Sequence, residues 1–132
     1  MIAAAGCSPG IRWRGYTFDP VFAEAQRDGK LTFVYFRHWS VVACTRFEEE
    51  VLKDPAVRSA TAELYCAALD FHWDRALADR WEIPEPPGVV ILDPQGNVRA
   101  RLTGEMTAEQ LLEAIAAARS APVDSAQPAK VP

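Results

Sequence analysis

The sequence predicts an α/β domain of three layers, α/β/α, with a central mixed sheet of about four strands, and three observations carry that prediction. Two short runs, "LTFVYF" (31–36) and "LYCAALDF" (64–71), are apolar almost throughout, the pattern of strands covered on both faces. Between them lies a helical pattern long enough to cross from one parallel strand to the next. After them the apolar run "VVILD" (89–93) is joined by the turn "PQGN" to the alternating "VRARLTG" (98–104), which suits a hairpin whose second strand lies at a sheet edge.

Helical signals begin at Asp19-Pro20, a capping residue followed by proline at the first helical position, where a missing N–H does no harm. Phe22, Ala25 and Gln26 follow at helical spacing and Gly29 supplies a stop, so a helix is expected over about 20–28. Residues 42–53 carry Cys44, Phe47 and Val51 at i, i+3 and i+7, an amphipathic helix whose inner stripe includes the cysteine. Asp54-Pro55 opens another helical segment to about Ala62, and "DRALADRWEI" (74–83) forms a further one that Pro84, Pro86, Pro87 and Gly88 break. Thr107 and Gln110 make a capping box for a last helix through Leu111, Leu112 and Ile115 to about Arg119. The domain is therefore placed at 18–119, with residues 1–17 as an N-terminal extension and 120–132, Pro- and Ala-rich without periodicity, as a disordered tail.

At 132 residues the chain fits one compact domain. No apolar run approaches the roughly 20 residues of a membrane helix, so no integral membrane segment is expected. A net charge of −4 and a pI near 5.2 argue against nucleic acid as a partner, and the basic pairs Arg12 with Arg14 and Arg37 with His38 are too small to change that. Three widely spaced cysteines, Cys7, Cys44 and Cys66, do not make a disulfide-stapled scaffold. "AAAGCS" (3–8) is similar to the site at which bacterial lipoprotein precursors are cut and lipidated, but only six residues precede Cys7, without a charged region or a full apolar one. The plain reading is an Ala-rich start and a cytoplasmic domain. The other is a truncated lipoprotein leader, with Cys7 as the anchor of a periplasmic or lipid-anchored protein. Oligomeric state is left open.

The order of elements resembles the thioredoxin fold over about 18–119. The segments that carry the resemblance are "KLTFVYFRHW", "CTRFEEEVLKDPAVRSA" and "PPGVVILDPQGNVRARLTGEMTAEQLLEAI". In thioredoxins a cis-proline precedes the third strand and faces the active-site cysteines; Pro87 takes that place. Redox-active members carry Trp-Cys-x-x-Cys, in which the first thiol attacks and the second resolves. By this resemblance Cys44 takes the resolving position. Counting back from Cys44 places Val41 at the attacking position, and counting forward from Trp39 places Ser40 there; neither is a thiol. The buried Asp and Lys that manage the resolving proton in many thioredoxins match Val34 and Cys66. The resemblance implies no cofactor.

Cys44 has three readings: a small core residue, a monothiol that takes glutathione or a thiol client, and one half of an unorthodox pair with Cys66. Arg37, His38 and Arg46 would favour its thiolate, while the stripe shared with Phe47 and Val51 implies burial, which opposes it. His38 and His72 lack zinc-site spacing with Cys44, so no metal is expected. "FEEEV" reads as a solvated helix face, and Trp73 and Trp81 as packing residues. Two functions follow. One is residual thiol chemistry at Cys44, with Arg37 or His38 tuning it. The other is a non-catalytic module that holds a peptide or partner protein in a groove shaped by Trp39, Ser40, Val41, Val42, Pro86 and Pro87.

Overall fold

The computed structural model describes residues 10–120. Cys7 with its lipidation motif, and the tail for which disorder is expected, lie outside the described residues, apart from Ser120. The elements are β1 (Trp13–Gly15), α1 (Phe18–Asp28), β2 (Thr32–Arg37), α2 (Val42–Glu50), α3 (Pro55–Thr61), β3 (Tyr65–Asp70), α4 (Arg75–Arg80), β4 (Gly88–Leu92), β5 (Val98–Thr103) and α5 (Ala108–Ser120). One five-stranded sheet runs in the order β1-β3-β2-β4-β5. β3 is parallel to β1 and β2, whereas β4 is antiparallel to β2 and β5. β2 is thus the middle strand, and β5 lies at an edge.

The five strands agree with the mixed sheet of about four that the sequence predicts, the strand without a sequence signal being β1. β1 is three residues long, too short for alternation to register, and its one partner is β3. Its residues fall within 1–17, the stretch expected as an N-terminal extension.

Both faces of the sheet are covered, and the period of two along each strand sorts the core. Phe33, Tyr35, Cys66, Ala68, Val89 and Ile91 meet Phe47 of α2, Val57 of α3 and Leu111 and Ile115 of α5. Val34, Phe36, Ala67, Leu69, Val90 and Leu92 meet Phe18 and Val21 of α1 and Ala78 of α4. Each large apolar side chain so buried contributes about 1.5–3 kcal/mol relative to exposure.

α1 starts earlier than Asp19-Pro20 implies, with Thr17 at the cap. Phe18 is buried and stacks on Phe22 at 5.1 Å, so packing recruits it into the helix. Asp19 then lies in the first turn, beside the positive end of the helix dipole, and Pro20 occupies a position whose N–H has no helical acceptor. Gly29 ends the helix with φ 69°, a left-handed conformation that favours glycine. The capping box at α5 is reciprocal: the Thr107 N–H donates to Gln110 Oε1 at 2.9 Å, and the Gln110 N–H donates to Thr107 Oγ1 at 3.1 Å.

The β4–β5 turn is organised by Asp93, which is wholly buried. Its Oδ1 accepts the backbone N–H groups of Gln95 and Asn97 at 2.9 Å each, and its Oδ2 accepts the Asn97 amide and the Arg99 guanidinium at 3.2 Å each. Burial pushes this carboxyl up, but the hydrogen bonds from the Asn97 backbone, Arg99, the Asn97 side chain and Gln95 outweigh it and hold the pKa below the usual 3.8. Asp93→Ala is expected to destabilise the domain by about 3 kcal/mol, because one change removes the shared acceptor of two backbone N–H groups and a buried guanidinium. Because the folded pKa is depressed, the native contribution is present above pH ~4 and lost as pH falls through the folded value. Urea unfolding of both proteins at neutral and acid pH checks this, with the difference shrinking in acid.

Candidate functional site

Parallel strands β2 and β3 end at the same edge of the domain, and the loops that leave them lie side by side there. The Phe71 N–H donates to the Arg37 carbonyl at 2.7 Å, and the His38 and His72 rings face edge-on at 6.5 Å. β4 begins at that edge, since Gly88 pairs with Phe36, which sets Pro87 beside the end of β2. The Pro86–Pro87 peptide bond is cis. Gly88 fits by lacking a side chain: a Cβ there would overlap Ile83. The ends of β2 and β3, the start of α2 and Pro87 therefore share the place where α/β sheets put their ligands, outside the carboxyl ends of parallel strands.

α2 begins at Val42, so Val41 is its N-cap and Ser40 lies one residue outside the helix. Ser40 instead serves His38: its backbone N–H donates to Nδ1 at 3.2 Å and its hydroxyl lies 2.8 Å from the same nitrogen. Nδ1 is thereby an acceptor, which leaves the proton of the neutral ring on Nε2. The ring stacks on Trp39 at 5.8 Å.

Cys44 sits in the first turn of α2 and is 1% exposed. Burial raises its pKa, and that outweighs the lowering by the His38 backbone, the Tyr35 hydroxyl and the Arg37 charge. Arg37 has little to give, because its guanidinium is held by Glu48 at 2.7 Å. His38 acts through its backbone while its ring faces Ser40 and Trp39. Of the three groups expected to favour the thiolate, Arg46 is paired with Glu105 at 2.7 Å, and Arg37 and His38 are overruled by desolvation.

Glu48 joins this site, although "FEEEV" reads as a solvated helix face. It is half-buried, and its Oε2 accepts both the Tyr35 hydroxyl at 2.8 Å and the Arg37 Nε–H at 2.7 Å. The physical reason is helical geometry: Glu48 is four residues after Cys44 and shares its face, whereas Glu49 and Glu50 are exposed. That spacing is the signal that could have found it. The register makes a second correction. Val34, expected in place of the family's buried Asp, faces the α1 side; the β2 residue beneath Cys44 is Tyr35, one position on.

Cys66 faces the same layer as Tyr35 but level with Phe33, nearer the start of β2. Its thiol donates weakly to the carbonyls of Leu64 and Thr61 at 3.8 and 3.9 Å, and burial pushes its pKa up to about 12. Cys44 and Cys66 are both free thiols. Among the described residues no group of three or more His, Cys, Asp or Glu side chains is placed to hold a metal ion, and no helix is long and apolar enough to cross a membrane.

Three large apolar side chains stand exposed at this edge, among the exposed polar residues Ser40 and His72. Trp39 is 76% exposed, Val42 70% and Trp73 82%. Trp81, by contrast, is a core residue packed on Phe18 and Phe36.

A family model described as Thioredoxin-like domain matches residues 18–119. The chain belongs to the thioredoxin-like domain family. A thioredoxin from Thermus thermophilus superposes with a TM-score of 0.73 at 26% identity, over 82% of this chain and 88% of that one. The oxidoreductase DsbH superposes with a TM-score of 0.71 at 15% identity, over 86% and 88%. The thiol:disulfide interchange protein DsbD 2 of Pseudomonas aeruginosa is 32% identical over 97 residues, which are 68% of this chain but 16% of that protein's length. This thioredoxin-like domain is therefore related to thiol-disulfide oxidoreductases, and it spans a small part of that curated relative.

Within the thioredoxin-like domain, Glu48 is the shared acceptor that ties β2 to α2. Glu48→Ala is expected to cost about 2 kcal/mol by leaving the buried Tyr35 hydroxyl without its acceptor, while Tyr35→Phe is expected to cost about 1 kcal/mol. Thermal or urea unfolding of the two variants checks the order.

Proposed function

We propose that this thioredoxin-like domain is a non-catalytic binding module that holds an extended peptide, or a segment of a partner protein, across Trp39, Val42 and Pro87 without exchanging disulfides. One observation carries the reading. At the N-cap of α2, the position that matches the attacking thiol when one counts back from Cys44, stands Val41; the thiol that remains is buried, with its pKa raised. Disulfide exchange needs a thiolate with access to the sulfur it attacks, and a desolvated thiol supplies neither charge nor access. The exposed indoles of Trp39 and Trp73 and the side chain of Val42 offer apolar area that a bound chain would remove from water. Half-buried Pro86 and buried Pro87 lie beside the end of β2, at the margin of these side chains.

A second reading has support from kinship and from the Tyr35 hydroxyl and His38 backbone, which both pull the Cys44 pKa down. In it, the Cys44 thiolate, after local opening, attacks the disulfide of a client or of glutathione disulfide, forming a mixed disulfide as the other sulfur leaves as a thiolate.

Two readouts on the same protein separate the readings. An unstructured apolar peptide without cysteine should quench tryptophan fluorescence saturably, with Trp39→Ala weakening it at least about tenfold as expected for a buried aromatic anchor and Cys44→Ser leaving it unchanged. Incubation with glutathione disulfide should give no adduct on the native protein, and Val41→Cys should gain exchange activity where Ser40→Cys does not. An adduct on Cys44 of the native protein would favour the second reading, and absence of saturable peptide binding would sink the first.

A further inference from the structure

Away from the surface above α2, a cleft of about 670 Å³ opens between the β1 edge of the sheet and α3. Its lining includes Arg12 and Arg14 from the β1 segment, Arg58 and Ser59 from α3, and Leu64 before β3, and no carboxylate contributes to it. Arg14 is held in place: it donates to Glu24 at 2.8 Å, and its guanidinium lies 3.6 Å from the centre of the Tyr65 ring. Arg12 and Arg58 form no ion pair with any described residue. In a chain of net charge −4, three guanidiniums around one concavity concentrate positive charge against the overall balance, and two of them form no ion pair with a described residue.

The geometry points to a binding site here for a phosphate-bearing small molecule. Arginine rather than lysine lines the cleft, and its planar fork matches phosphate oxygens two at a time. Ser59 adds a hydroxyl donor, while the hydroxyl of Thr61, the neighbouring lining residue, is committed to the Val57 and Arg58 carbonyls at 3.0 and 3.1 Å. Leu64 gives the cleft an apolar wall for the organic part of the ligand. The volume lies within the range of about 300–1,000 Å³ usual for small-molecule sites. A dianion suits the site better than a single carboxylate, because neither Arg12 nor Arg58 is ion-paired with a described residue.

The full chain, labelled for amide NMR, would be titrated with inorganic pyrophosphate at about physiological ionic strength, where weak surface attraction is screened. Saturable shifts at Arg58, Ser59 and Ala62 are expected, and Arg58→Ala should weaken binding about tenfold, as loss of a charge-assisted fork predicts, with Arg58→Lys failing to restore it. Arg12→Ala provides an independent second variant from β1 rather than α3. Shifts that do not saturate, or an affinity that neither alanine variant changes, would overturn the site. Equal binding of tri-glutamate would overturn the phosphate assignment in favour of an acidic peptide. Selective sedimentation with phosphatidic-acid vesicles over phosphatidylcholine vesicles would likewise overturn it in favour of a lipid headgroup.

Discussion

Burial of both faces of β2 is the constraint on which the rest of the structure depends. As the middle strand it has Phe33 and Tyr35 on one side and Val34 and Phe36 on the other, so no residue can change face without exposing an apolar set and burying its opposite. That fixed alternation aims the Tyr35 hydroxyl at α2, and Arg37, two residues on, meets the same helix. Glu48 receives both, which pins α2 to the strand and sets Cys44 beneath the helix start. Pro87 is brought to the same edge by the pairing of β4 with β2.

At Cys44, opposing effects act on one thiol, and their balance decides the chemistry. An early helical position, a guanidinium and nearby hydrogen bonds favour the thiolate. Arg37, however, is largely satisfied by Glu48, and Cys44 is closed off from water. Desolvation is the largest influence and raises the pKa. In the reading proposed above, the surface over Cys44 is left to Val41, Val42 and Trp39, side chains without redox chemistry.

Much of the fold was legible in the sequence because the strands are covered twice. "LTFVYF" and "VVILD" read as strands since both parities are apolar, and Thr107 with Gln110 named a helix start through a local hydrogen-bonded box. The misses have local causes. β1 is too short to show a period, and α1 is started by the burial of Phe18 rather than by the Asp19-Pro20 signal. Val34 and Tyr35 differ by one residue but by a whole face, so an alignment uncertain by one position could not choose between them. Glu48 was hidden among three glutamates of equal appearance, and only its spacing from Cys44 separates it. Of the four tryptophans, Trp39 is expected at a groove and is exposed, while Trp73 and Trp81 both read as packing residues although Trp81 is core and Trp73 stands in solvent.

The most direct test of this balance is the alkylation rate of Cys44 against pH in the native protein, read by peptide mass spectrometry without prior reduction. The account predicts protection across the neutral range, labelling only after denaturant is added, and no Cys44–Cys66 linkage. Fast native labelling with an apparent pKa well below the ~8.5 of a free cysteine would contradict it, and would return Cys44 to the role of a poised thiolate.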